Sequence, residues 1–142
     1  MQNLALRFAD EIASFLNGKF VGMEQLRSYR KIIWENSLAE SKDLTAVVVP
    51  HGVECKISDR SHEFEWAVQI DVGICRRATE HEMEHLLSLV QEIGEMFEGK
   101  TFNNAWHGVC IGVDYAPLYA TDFWIQSHCF LSVMVLTIKV FK

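Results

Sequence analysis

The chain of 142 residues is poor in prolines, with only Pro50 and Pro117, and holds no internal repeat, low-complexity segment or interdomain linker. A single domain over residues 1–142 is therefore expected, and with nearly half its residues apolar it can bury a core without metal or disulfide support. Basic residues are in deficit, thirteen Lys and Arg against nineteen Asp and Glu, for a net charge of -6. That balance argues against a protein that grips phosphates, which needs a basic face. No CxxC pair occurs among Cys55, Cys75, Cys110 and Cys129, and no signal-peptide pattern precedes them, so they read as buried cytosolic thiols. The most apolar stretch, Cys129 to Phe141, is too short to span a bilayer and is broken by Ser132, Thr137 and Lys139. It reads as a buried strand rather than an anchor. Gly-rich phosphate loops and G-x-S-x-G elbows are absent as well.

What is present is alternation. From Glu63 to Arg76 the residues Phe64, Trp66, Val68, Ile70, Val72 and Ile74 fall on one face, and Glu63, Glu65, Gln69 and Asp71 on the other. Successive strand side chains point to opposite faces, so this is one half-buried β-strand. At about 3.3 Å per residue it runs roughly 45 Å, more than twice the usual strand. An overhang of that size suggests a sheet shared between subunits, which places assembly ahead of catalysis. Phe64, Trp66, Val68, Ile70 and Val72 are expected to pack against the second helix.

The rest of the chain supplies the partners of that strand. Ala5, Phe8, Ala9, Ile12, Phe15 and Leu16 recur at helical spacing and Asn17-Gly18 stops them, giving a first helix over Leu4–Leu16. A strand is expected around Phe20–Tyr29, then a loop or short helical turn over 30–43. Leu44–Pro50 is strand, His51-Gly52 a turn, and Val53, Cys55 and Ile57 a second arm. A second helix starts at Thr79 with a stripe of Met83, Leu86, Leu87, Val90, Ile93, Gly94 and Phe97, closed by Gly99. Trp106–Ala116 is a strand with apolar odd positions and small residues at Gly108, Cys110 and Gly112, where a neighbour can approach closely. A last strand, about Phe123–Phe141, is apolar on both faces, as for a strand covered by a helix on one side and a partner chain on the other. The order predicts an α+β fold: a mainly antiparallel β-sheet with two α-helices packed on one face.

One motif carries chemistry. His81-Glu82-Met83-Glu84-His85 matches H-E-x-x-H, in which two histidines one turn apart bind zinc and the glutamate activates water. At 100° per residue both histidines lie opposite the apolar stripe, pointing to solvent rather than to the walled cleft a catalytic zinc requires. Thr79 and Glu82 also stand at capping-box spacing, which gives Glu82 a structural role. No third ligand stands in a recognisable spacing among His51, His62, His107 and His128. His128 and Cys129, adjacent in a strand, would face opposite ways. The four tryptophans form no ligand cage, since Trp66 belongs to the apolar row. The expectation is no enzymatic activity, no catalytic residue, no metal and no cofactor, with a zinc metallopeptidase as the remote alternative.

The chain resembles the tail terminator, or tail completion, proteins of long-tailed bacteriophages. The resemblance rests on Leu6-Arg7-Phe8-Ala9-Asp10-Glu11-Ile12, Arg27-Ser28-Tyr29 and Leu44-Thr45-Ala46-Val47-Val48-Val49-Pro50. It continues in Val68-Gln69-Ile70-Asp71-Val72-Gly73-Ile74, in Tyr115-Ala116-Pro117-Leu118-Tyr119, and in Phe130-Leu131-Ser132-Val133 with Leu136-Thr137-Ile138. It implies a virion protein assembled in the host cytoplasm that closes a ring, usually hexameric, on the head-proximal end of the tail tube. Its partners would be copies of itself, the tail tube protein, the head-tail connector protein, and DNA only in passage, with no membrane. A different head-tail connector or minor tail subunit is the alternative. A ring needs a heterologous interface, and Glu63, Glu65, Gln69 and Asp71 are candidates to line its channel, where an acidic wall repels phosphates.

Overall fold

The computed structural model describes residues 3–57, 64–103 and 107–141. Helix α1 spans Leu4–Leu16, the bounds its apolar spacing predicts, and Asn3 caps it by accepting the amides of Ala5 and Leu6 through its side-chain oxygen. Its buried stripe is Ala5, Phe8, Ala9, Ile12, Ala13 and Leu16. The strand expected over Phe20–Tyr29 is three pieces: β1 (Phe20–Val21), β2 (Glu24–Gln25) and β3 (Arg27–Arg30). Gly22, at φ 61°, takes the left-handed conformation that turns β1 into β2, leaving Met23 at an exposed tip. Leu26 breaks the second junction by burying itself completely.

A six-stranded sheet follows, in the order β3-β4-β5-β8-β7-β6, with β4 at Thr45–Ile57, β5 at Phe64–Arg77, β6 at Thr101–Phe102, β7 at His107–Tyr115 and β8 at Cys129–Phe141. The sheet is mixed: β3 and β4 are parallel, and the remaining pairs are antiparallel. His51-Gly52 is not a turn. β4 runs through it with a bulge between Pro50 and Gly52, so Val48 pairs with Val72 and Val53 with Val68. The extra residue shifts the core-facing positions from even to odd and keeps the apolar row on one face. A second bulge, between Cys110 and Gly112, does the same in β7. Gly108 and Cys110 are buried before it and Val113 and Tyr115 pair with buried Leu136 and Met134 after it, so the uniform odd apolar face expected for β7 is corrected.

Two helices lie on one face, as expected, but differently shared: α1 contacts β3, β4 and β5, while α2 (Met83–Glu95) contacts β8 and the β1–β2 hairpin. Val68, Ile70, Val72 and Ile74 are therefore buried mainly under α1, not under the second helix. The hairpin also buries Leu89, which the expected stripe omits, with Gly22 standing against its side chain. Within this core Phe8 meets Phe102 edge-on, and the space a side chain at Gly108 would need is filled by the Phe8 ring. The closely approaching neighbours at Gly108 are thus the chain's own Ile138 on the adjacent strand and Phe8 on α1.

A third helix, α3 (Thr121–Ser127), stands where the last strand was expected to begin, and His128, in the left-handed region at φ 55°, ends it. His128 is a helix cap, so its predicted place in a strand is corrected. The other sheet face carries a smaller core of Ala39, Val47, Cys75 and Cys129, covered by Trp34 and Leu38 from the 30–43 segment and Phe123 from α3. Trp34 lies on Gly73 and donates to Asn36 across 2.6 Å. On the second face of β8 this cover reaches Cys129 and Leu131, while Val133 and Val135 further along stay half-buried. Cys75, Cys110 and Cys129 are buried as predicted, and Cys55 is exposed, which corrects its assignment to the core. Burial, then the neighbouring Cys129, pushes the Cys75 thiol up to about 12. Among the described residues, no helix is long and apolar enough to cross a membrane.

Candidate functional site

The H-E-x-x-H segment opens on a 3-10 turn, Glu80–Glu82, that leads into α2. Thr79 and Glu82 form the capping box their spacing predicts, the Glu82 carboxylate accepting the Thr79 amide at 3.0 Å. The same carboxylate meets Arg76 Nη2 at 2.8 Å. The Thr79 amide first, and then Arg76, hold the Glu82 carboxyl down at about 2. A water-activating base needs a free, moderately basic carboxylate, and this one is engaged twice. His81 is exposed, and His85 projects outward with Nε2 3.6 Å from Glu24. Among the described residues, no group of three or more His, Cys, Asp or Glu side chains is arranged to hold a metal ion.

Arg76 is the residue the motif conceals. It occupies the core-facing position after Ile74 on β5 yet is 6 % exposed. Nε lies 2.8 Å from Glu24 without its N–H aimed at the carboxylate, and Nη1 donates to the Arg77 carbonyl. Burial opposes the guanidinium charge, and hydrogen bonds to Glu24 and Glu82 more than offset it. This clamp ties the β1–β2 hairpin and the start of α2 to the sheet beside a cavity of about 680 Å³. A charged residue in an otherwise apolar row is the signal in the sequence that points to it.

The second candidate is the far end of the β4–β5 ribbon. Beyond Gly52, β4 pairs with β5 on one side only, since β3 reaches no further than Val48. Val53, Cys55 and Ile57 pair with Val68, Trp66 and Phe64, and paired residues share a face. That face continues the buried row, but among the described residues no helix covers it: Ile57 and Phe64 are each 63 % exposed, and Trp66 is half-buried. The core role expected of Phe64 is therefore corrected.

The opposite face of the ribbon carries the candidate channel residues. Glu65 and Gln69 are exposed, while Asp71 is partly covered and stands 3.0 Å from His51 Nδ1. Glu63, together with His62 and Trp106, lies outside the described residues. Lys56 pairs with Glu65, and Lys139 with Ala67, so positive charges interleave with the carboxylates and the face is of mixed sign.

No family model matches this chain, and neither does any curated protein.

Proposed function

We propose that the protein is a structural subunit that closes a ring on the end of a bacteriophage tail tube, halting tube growth and offering a surface to the head connector. The single observation that carries this reading is the uncovered ribbon end, where a continuous apolar row leaves its own core and remains exposed at Ile57 and Phe64. Exposed apolar rows rimmed by charge mark association surfaces. A subunit that carries such an arm at one place and a different complementary surface at another associates head to tail, which closes into a ring when the rotation permits. Glu65, Gln69 and Asp71 fit a channel wall of interleaved charge, along which DNA slides without a phosphate-gripping array. The bound roles of Glu82 and Arg76 favour a structural over a peptidase reading of the H-E-x-x-H segment.

Electron microscopy of the protein mixed with tail tubes of the virus that encodes it tests the proposal. The expected image is a ring capping one end of each tube, with tube lengths narrowed. Protein that neither binds the tubes nor changes their length overturns the reading, and binding along the side or at the distal tip favours another tail subunit.

A further inference from the structure

The six-stranded sheet has two open edges of unlike character. One belongs to the ribbon, where Gly52–Ile57 offers backbone groups on the side away from β5. The other belongs to β7. The short strand β6 pairs only with Gly108 and Val109, and the Lys100 carbonyl takes the Cys110 amide. Among the described residues no strand pairs with Ile111–Tyr115 on the side away from β8. The stretch holds neither lysine nor proline, and its edge protection is limited to the bulge between Cys110 and Gly112 and to Asp114.

Beside the β7 edge, on the helix-bearing face, lies a groove of about 400 Å³ between the outer flank of α2 and the chain after β7. Leu87, Tyr115 and Leu118 give it apolar walls, and Glu95 and Glu98 border it. Tyr115 projects under α2 until its ring rests on Gly94. A strand added to this edge would extend the helix-bearing face of the sheet, so alternate side chains of that strand would enter the groove.

We propose that Gly52–Ile57 of one copy adds as a strand to Ile111–Tyr115 of the next, placing Val53, Cys55 and Ile57 in the groove beside Tyr115 and Leu118. The inference rests on the ring reading and names the surface through which the ring closes. Strand parity supports it for antiparallel addition, because β4 and β7 run in opposite senses within one sheet. Val53, Cys55 and Ile57 share the helix-bearing face with Val113 and Tyr115, while Lys56 and Asp114 share the opposite face. The apolar row thereby meets the Leu87, Tyr115 and Leu118 walls of a groove whose far side is polar, and a cation meets a carboxylate. Main-chain hydrogen bonds give such an added strand affinity, and its alternate side chains give it specificity. Because the two edges lie at opposite ends of one sheet, the contact is heterologous and each subunit uses it twice.

Cys55 supplies the probe, since the other three cysteines are buried. Full-length protein carrying Leu118→Cys, treated with a short bis-maleimide, should give a covalent ladder that climbs past the dimer. Returning position 118 to leucine, or adding Cys55→Ser, should abolish it. Ile57→Asp, at an exposed position, should leave the circular dichroism melt unchanged and reduce the assembled fraction about tenfold or more by sedimentation. Multimers whose assembly is unaffected by Ile57→Asp, and in which Cys55 does not join the thiol introduced by Leu118→Cys, overturn this contact while leaving the ring intact. A Cys55–Cys55 dimer in the unmodified chain replaces it with an arm-to-arm pairing. A chain that stays monomeric at its highest soluble concentration overturns the ring and this contact together.

Discussion

β5 passes through two environments without changing its pattern. From Val68 to Ile74 its apolar positions are fully buried beneath the helices, and from Phe64 to Trp66 the same row emerges into the open. The alternation is identical in both halves; what differs is the layer above. Period two records which face a residue takes, and coverage depends on elements that arrive from elsewhere in the chain. The buried half consequently carries the stability of the fold, and the uncovered half adds little to it.

The contrast is sharpest under truncation. Ile70→Ala should cost about 2–5 kcal/mol, because the cavity it leaves is enclosed on every side. Urea unfolding measures it, and a loss no greater than that of Gln69→Ala would show the two faces to be energetically alike. The covering layer can be attacked next, at Gly94. A Cβ there would lie 2.8 Å from Tyr115 Cζ and overlap the hydroxyl. Overpacking of about 1–3 kcal/mol should exceed the helix-propensity gain of about 1 kcal/mol, so Gly94→Ala is expected to destabilise. In a Tyr115→Val background the same change should stabilise, and unfolding curves for the four proteins decide it.

A smaller effect belongs to the start of α2. Glu82 is held at about 2 against an ordinary 4.5, so its contribution is complete above 4.5 and is lost as pH falls toward 2. Wild type should exceed Glu82→Gln in stability at neutral pH and converge on it through that window in an acid titration of unfolding. A gap that does not change with pH would mean that the carboxylate charge does not hold the cap. At the uncovered end, Ile57→Ala should shift stability by no more than about 0.5 kcal/mol. A loss comparable to that at Ile70 would place Ile57 in the folded core of the single subunit.

How much of this was legible in the sequence depended on how local the cause was. The bounds of α1, the capping box and the length of β5 follow from spacing alone. The bulge at His51 could be read only as a punctuation mark, because a bulge and a turn leave the same change of parity. α3 escaped because Phe123-Trp124-Ile125 looks like a strand and only seven residues form the helix. Leu89 and Arg76 depend on the β1–β2 hairpin, far away along the chain. The exposure of Cys55 follows from the absence, among the described residues, of a cover over the arm, which no local pattern records.

The bulge at His51 has a hereditary consequence. A strand has two faces, so its register is a binary quantity that a single residue can invert. Loss of the three nucleotides encoding His51 would restore unbroken pairing between β4 and β5. Because Pro50 already pairs with Ile70, Gly52 with Gln69 and Val53 with Val68, it would do so with Val53, Cys55 and Ile57 left on their present face. Substitutions at that position are mild as well, since the His51 side chain is half in solvent; a further added residue that the bulge does not absorb is what would turn the arm over. Descendants of this gene should therefore vary freely in which residue stands there and tolerate its loss, with the apolar face of the arm unchanged.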